Sequence, residues 1–277
     1  MYSCGRDDAR PSNRSFSGLP TAAWEGAAPS APHRCVCFCI LLLSAATAVA
    51  GPPFLTDDPE PVPYQHGEFY VFSTFDRSSG GTQLQAPAFE LNYGLASNFQ
   101  AHVVFPFTAA IPRAGPRAYG AGDTEFGIKY RFLQESDDCP MAGVFPMLEI
   151  PTGDHDRGLG NGRTWVRLPL WLQKSWGPEG RQWTTYGGGG YACNPTPGQR
   201  NYPFAGWLLQ KELGGVLTLG GELFVQGRSA DNGQATWIAN AGGSCRLAQD
   251  LDLLFTLGHS LAGERHLIGY AGLYRTW

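Results

Sequence analysis

One stretch of eleven residues constrains the fold more than any other part of the chain. Residues 122–132 read Gly-Asp-Thr-Glu-Phe-Gly-Ile-Lys-Tyr-Arg-Phe. From Glu125 onward, charged residues or glycine alternate with apolar residues. Successive side chains of a β-strand point to opposite sides, whereas a helix would scatter both classes around its circumference. The stretch therefore predicts a strand whose apolar face meets either a protein core or, in a membrane barrel, lipid. That apolar face consists of Phe126, Ile128, Tyr130 and Phe132.

Pieces of similar length and pattern fill the chain from Glu68 to Trp277, with turn residues between them. About twelve strands can be counted, and short turns alternate with longer loops rich in Pro and Gly. Bacterial outer-membrane barrels have an even number of antiparallel strands, with short turns at one end and long loops at the other. A soluble β-sandwich has no reason to sort its loops by length. The predicted fold is therefore all-β, an antiparallel transmembrane β-barrel of about 12 strands of the bacterial outer-membrane type, spanning residues 67–277.

The start of the chain has the pattern of an export signal. Residues 35–49 are an uncharged apolar run, preceded by His33 and Arg34 and followed by an Ala-Val-Ala end at residues 48–50. This run is short for a membrane span, which needs about 20 apolar residues, so it predicts a secretory signal peptide, with an anchor helix as the alternative. Residues 1–50 are thus expected to be a leader that is removed. Residues 51–66 contain five prolines and are expected to form an extended periplasmic lead-in.

Composition excludes other classes of function. Removal of residues 1–50 takes away four arginines and three acidic residues, which leaves 16 basic and 21 acidic side chains and a net charge of −5. Without a basic patch, the chain is not expected to bind nucleic acid. Cys139, Cys193 and Cys245 remain, an odd number whose spacing matches no zinc site. They are expected to be isolated thiols, with one disulfide as the alternative.

Four segments together resemble a known family. They are Glu-Leu-Asn-Tyr-Gly-Leu at residues 90–95, the alternating stretch 122–132, Pro-Thr-Gly-Asp at 151–154 and Gly-Leu-Gly-Asn-Gly at 158–162. In this order and spacing they resemble the outer-membrane barrel family named for the meta-pathway of phenol degradation, whose members are usually described as transporters. The resemblance covers nearly all of the mature chain. It implies an outer-membrane pore for small, often hydrophobic or aromatic compounds.

The C-terminus fits such a barrel in part. Outer-membrane barrels typically end in an aromatic residue, which Trp277 supplies, with apolar residues at alternate positions before it. Leu273 continues that series, but Arg275 interrupts it. We therefore expect the barrel-assembly machinery to recognise these C-terminal residues.

The charged faces of the strands are the candidate functional residues. A Lys or Arg in contact with lipid costs about 2–4 kcal/mol at the middle of the membrane, so these faces should line the lumen. There they would set selectivity or form a polar path. The alternative is a network of buried ion pairs that fills a narrow barrel. The lumen-lining candidates are Glu90, Glu125, Lys129, Arg131, Glu149, Arg167, Glu222 and Asp252.

Two further motifs suggest other chemistry. Asp154-His155-Asp156 could bind a divalent cation, but without calcium-loop spacing a solvated loop is the favoured interpretation. His259-Ser260 suggests a lipid hydrolase, but adjacent strand residues point to opposite faces and cannot form a catalytic dyad. No enzyme activity, cofactor or metal is therefore predicted.

The sequence thus predicts a passive channel or uptake protein in the bacterial outer membrane, for small organic compounds that include aromatic ones. Its partners would be outer-membrane lipids, the small-molecule permeant and, during biogenesis, the barrel-assembly machinery. Its oligomeric state is left open. The alternatives are a structural or surface-interaction barrel with a plugged lumen and, less favoured, an outer-membrane lipid hydrolase.

Overall fold

The computed structural model describes residues 53–277, so the predicted leader and signal peptide lie outside the described residues. Within this range, no helix is long and apolar enough to cross a membrane. Fourteen strands account for most of the described chain. They are β1 (Gly67–Arg77), β2 (Gly81–Ala96), β3 (Phe99–Pro112), β4 (Ala118–Ala121), β5 (Thr124–Leu133), β6 (Met141–Val144), β7 (Met147–Ile150), β8 (Trp165–Trp176), β9 (Trp183–Cys193), β10 (Tyr202–Leu213), β11 (Leu217–Gln226), β12 (Thr236–Ala248), β13 (Leu251–Ala262) and β14 (Leu267–Thr276).

The strands form a closed antiparallel barrel. β4 and β5 pair with successive parts of β3, so they are two halves of one strand. β6 and β7 likewise both pair with β5 and β8, and are separated by Phe145 and Pro146. With each of these pairs counted as one, twelve strands surround the lumen, and pairing of β1 with β14 completes the ring. The predicted fold class and strand number are confirmed.

One predicted loop is partly strand. The sequence indicated a loop over residues 109–121 because of its prolines and glycines. Instead, β3 continues to Pro112, and β4 pairs back against it with Thr108 opposite Gly120. The residues without strand structure between β3 and β5 are therefore few.

The two ends of the barrel differ in their connections. At one end, where β1 begins and β14 ends, short connections such as residues 97–98 and 249–250 join the strands. The other end carries the longer connections, including residues 151–164, 194–201 and 227–235. We call these the turn end and the loop end. The predicted alternation of turn length holds for these connections, but residues 134–140 at the turn end form a longer connection than residues 78–80 or 113–117 at the loop end.

Side chains alternate between the outer surface and the lumen. Phe126, Ile128, Tyr130 and Phe132 of β5 are 45%, 45%, 41% and 50% exposed, whereas Lys129 between them is 4% exposed. Comparable apolar residues are exposed on the other strands, for example Leu223 on β11 and Leu273 on β14. The outer surface is thus an apolar band of the kind that contacts lipid.

The lumen is not uniformly polar. One cluster of buried residues contains Phe145, Trp171 and Phe204, and a second contains Tyr70 and Tyr274. The second cluster explains why the two faces of β1 are poorly separated in the sequence. Aromatic residues lie on both the inward and the outward face of β1, so hydropathy alone cannot distinguish the two faces.

Residues 53–66, which we call the lumen segment, enter the barrel: residues 56–62 are buried or half-buried inside it, and residues 63–66 are exposed at the turn end. The sequence indicated an extended periplasmic lead-in here, and the segment is indeed irregular, with Tyr64 forming a single bridge to Gly94. However, its residues bond to inward-facing side chains of β3, β5, β8, β11 and β13, which surround it. Polar groups of the lumen satisfy the backbone N–H and C=O groups that an irregular chain cannot pair with itself.

Candidate functional site in the barrel lumen

A cavity of about 720 Å³ lies beside the lumen segment. Its lining reaches from Asp123 and Glu149, near the loop end, to Glu68 and Trp277 at the turn end. The lining combines aromatic residues with a small number of polar groups, as small-molecule sites commonly do. The arrangement provides a space along the barrel axis that can hold a small organic molecule.

The structure places all eight predicted lumen residues on inward-facing positions but brings only some of them to the cavity. Arg131 lies at the turn end, where its Nη2 atom donates to the Ser97 carbonyl oxygen at 2.8 Å. Asp252 pairs with Arg246, its cross-strand neighbour, at 3.4 Å. Glu222 contacts the backbone of the lumen segment and does not line the cavity. The five that line the cavity are Glu90, Glu125, Lys129, Glu149 and Arg167.

Lys129 anchors the lumen segment. Its Nζ atom lies 3.1 Å from Asp57 Oδ1 and 3.4 Å from Asp58 Oδ2, and all three side chains are largely or fully removed from solvent. The ammonium also lies 5.0 Å from the centre of the Phe145 ring, which is the geometry of a cation–π contact. The sequence predicted Lys129 as a lumen residue, but these partners lie more than 70 positions away.

Glu222 forms the second anchor. Its carboxylate accepts hydrogen bonds from the backbone N–H groups of Leu55, at 3.2 Å, and of Thr56. Asn240, which faces Glu222 across the β11–β12 pair, also donates to it. A carboxylate that accepts several hydrogen bonds can remain charged when buried. Glu222 therefore holds the lumen segment through its backbone and does not face the cavity.

His102 connects two acidic residues of the cavity wall. Its Nδ1 atom is 2.7 Å from Asn92 Oδ1 and 3.5 Å from Glu90 Oε1, and its Nε2 atom is 3.2 Å from Glu125 Oε1. The strand register places Asn92 directly opposite His102, which accounts for the first contact. His102 was not among the predicted site residues, although its position on the same face as Gln100 in β3 could have identified it.

Glu68 is a second functional candidate that the sequence analysis missed. Its carboxylate accepts hydrogen bonds from the hydroxyls of Tyr70, at 3.0 Å, and Tyr274, at 2.9 Å, and from Asn92 Nδ2 at 3.2 Å. All of these donors are neutral. Among residues 53–277, no Lys, Arg or His forms an ion pair with Glu68. The turn end of the cavity thus carries a fixed carboxylate without an ion-pair partner.

Two aromatic side chains of the lining have polar atoms without a hydrogen-bond partner in the described part of the chain. They are Trp171 Nε1 and Tyr270 Oη. Trp171 is 1% exposed, and Tyr270 stacks on Phe72 with 5.1 Å between ring centres. Buried polar atoms are usually paired, so these two atoms are exceptions within the aromatic lining.

The geometry supports neither a divalent-cation site at residues 154–156 nor a hydrolase dyad at His259 and Ser260. Asp154 caps a 3₁₀ turn over His155–Arg157 by accepting from the Arg157 N–H, and within residues 53–277 no group of three acidic, His or Cys side chains could hold a metal. His259 Nδ1 lies 2.8 Å from the Ser260 backbone oxygen, while the Ser260 hydroxyl accepts from the His266 N–H. The cysteines at 139, 193 and 245 are free thiols.

Comparisons with solved structures bear on the fold. An outer-membrane channel from Pseudomonas putida F1 is 16% identical, with a TM-score of 0.64, and the match covers 79% of this chain and 98% of that chain. The translocator domain of the autotransporter NalP from Neisseria meningitidis is 11% identical, with a TM-score of 0.50, over 76% of this chain and 88% of that domain. No protein-family model and no curated protein matches the sequence. The comparisons show that the chain has the β-barrel fold of outer-membrane channels.

Proposed function

We propose that this protein is a passive channel or uptake protein of the bacterial outer membrane for small organic compounds, aromatic ones among them. The cavity of about 720 Å³ along the lumen carries this proposal, because its lining extends from near the loop end to the turn end. Its aromatic walls offer apolar contact, while polar side chains of the lining such as Gln85 and Glu149 offer hydrogen bonds to a permeant. The apolar outer band supports the membrane location, with lipids as its partners and with the assembly machinery recognising the terminal Trp277.

A plugged structural barrel is the second candidate, and one observation favours it. The lumen segment occupies part of the interior and is held at Lys129 and Glu222. If this segment and the ion pairs around it fill the cross-section at any level, the cavity is a pocket rather than a passage. The two candidates differ in whether solute crosses the folded barrel.

A matched pair of substitutions on β3 separates the two candidates. Val104 lines the cavity, whereas Val103 next to it points to the opposite face of the strand. The mature chain would be reconstituted in vesicles, and the uptake of phenyl glucoside, a neutral aromatic solute that crosses lipid slowly, would be measured.

For a channel, the wild-type protein raises uptake above that of protein-free vesicles. Val104→Trp slows uptake because the larger ring occupies the cavity, and Val103→Trp leaves it unchanged. Uptake by wild-type vesicles equal to that of empty vesicles would reject the channel and favour the plugged barrel.

A further inference from the structure

The charges that line the cavity are strongly unbalanced. Eight carboxyl side chains line it, against three from Lys and Arg. We infer that the passage selects organic cations with an aromatic or apolar body over organic anions of the same size. This inference rests on the proposed channel function and specifies its permeant class.

The basic groups in the middle of the lumen have acidic partners. Lys129 contacts two carboxylates of the lumen segment. His102 lies between Glu90 and Glu125. An anion that entered the cavity would have to compete with these carboxylates, and it would meet their repulsion as well. Arg167 is the remaining strand cation of the lining away from the rims, and its guanidinium stacks 5.1 Å from the centre of the Phe204 ring.

Both ends of the cavity present carboxylates that lack a cationic partner. At the turn end, Glu68 is oriented by two tyrosine hydroxyls and an amide, so its carboxylate is positioned without an ion-pair partner. Near the loop end, Glu149 lines the cavity and forms no ion pair with any described residue. Asp123 accepts from two backbone N–H groups of the 151–164 connection, which are likewise neutral donors. A cation therefore meets attractive charge at either mouth, and walls of low dielectric constant concentrate that field.

The aromatic walls favour the same class of molecule. Ring faces attract organic cations, and Phe72 and Tyr270 line the same cavity as Glu68 and Glu90. Apolar contact, cation–π attraction and carboxylates thus coincide in one cavity.

The test compares two permanently charged aromatic ions of similar size, benzyltrimethylammonium and benzenesulfonate. Their fluxes into vesicles that contain the mature chain would be measured, together with the reversal potential of planar bilayers under a KCl gradient. Field focusing of this kind predicts a cation-to-anion flux ratio on the order of ten. A double variant, Glu68→Gln with Glu149→Gln, should bring the ratio close to one, since glutamine keeps the hydrogen-bond acceptor and removes the charge.

The matched control neutralises two exposed carboxylates outside the cavity, Glu179→Gln at the turn end with Glu264→Gln at the loop end. It should retain the wild-type ratio and the sign of the reversal potential. A conducting wild-type protein with a ratio near or below one overturns the selectivity inference and leaves the channel function standing. The absence of flux for both ions and of any conductance overturns the channel function and the inference together. If the double variant does not fold, the wild-type ratio decides.

Discussion

Replacement of Lys129 by methionine removes the ammonium that two carboxylates of the lumen segment contact. Asp58 is fully buried, and Asp57 lies 3.1 Å from Lys129 Nζ, so both would lose their counter-charge in a site with little water. Removal of one partner from a buried ion pair typically costs about 3–5 kcal/mol. At about 1.4 kcal/mol for each factor of ten, the equilibrium for release of the segment should shift by roughly 100-fold or more.

Release can be measured by cysteine labelling at Thr56, which is fully buried in the lumen segment. Thr56→Cys would be introduced into a chain whose natural cysteines are replaced by serine, and its rate of reaction with a maleimide would be followed. Lys129→Met should accelerate labelling by about two orders of magnitude. The control is Lys174→Met, since Lys174 forms a more exposed pair with Glu135 at 3.7 Å that is worth about 0–1 kcal/mol.

A compensating variant tests the electrostatic explanation. Lys129→Met combined with Asp57→Asn and Asp58→Asn leaves no unpaired charge, and loss of both partners is far less costly than loss of one. Labelling of this variant should return towards the wild-type rate. The reasoning is wrong if Lys129→Met and Lys174→Met label Thr56→Cys at the same rate, or if the compensating changes accelerate labelling further.

Three further outcomes are expected. An added Cβ at Gly94 would lie 2.0 Å from a backbone oxygen of the lumen segment, whereas at Gly221 the nearest atom is 3.8 Å away, so Gly94→Ala should lower the melting temperature and Gly221→Ala should not. Ile128→Arg on the outer band should destabilise the barrel in lipid by about 2–4 kcal/mol in urea unfolding, and a stability equal to wild type would contradict the lipid contact. The Asp76 carboxylate, 2.8 Å from His266 Nδ1, accepts a hydrogen bond that raises the pKa of His266 above 6.5. The stabilisation from this partly exposed pair is therefore complete below pH 6.5 and is lost as the pH rises through the folded-state pKa. Asp76→Asn should lower the melting temperature more at pH 5.5 than at pH 9, and equal losses at both would contradict this.

The barrel could be predicted because its outer face must be apolar on every strand. The alternation in β5 and β3 follows from that requirement, and it fixed which side of each strand faces outward. The breaks at Phe145 and Pro146, and the β4 hairpin, were missed because a local change in pairing leaves the hydropathy pattern nearly unchanged.

The lumen was predicted less completely, for a physical reason. Charged inward residues such as Lys129 and Glu125 contrast with their neighbours, but inward aromatic residues such as Tyr70 do not. The proline-rich segment has no periodicity, so nothing in its pattern distinguishes a position in the lumen from one outside the barrel. The position of this segment in the lumen depends on long-range contacts, including one between Leu55 and Glu222 that joins positions 167 residues apart.

The central claim is that solute passes through the cavity while the lumen segment stays in place beside it. A disulfide can hold that segment in place, because an ideal Cβ at Gly206 lies 3.2 Å from Thr56 Cβ, close to the separation of about 3.5–4.5 Å across disulfides. The Phe224 ring, whose Cδ2 atom lies 2.7 Å from that Cβ, must shift to admit it. Thr56→Cys with Gly206→Cys, in a chain without its natural cysteines, would be oxidised in vesicles and its uptake of phenyl glucoside compared with that of the reduced form. The account predicts the same uptake in both states. Uptake that stops on oxidation and returns on reduction would contradict it, and would show that the segment must leave the lumen before solute can cross.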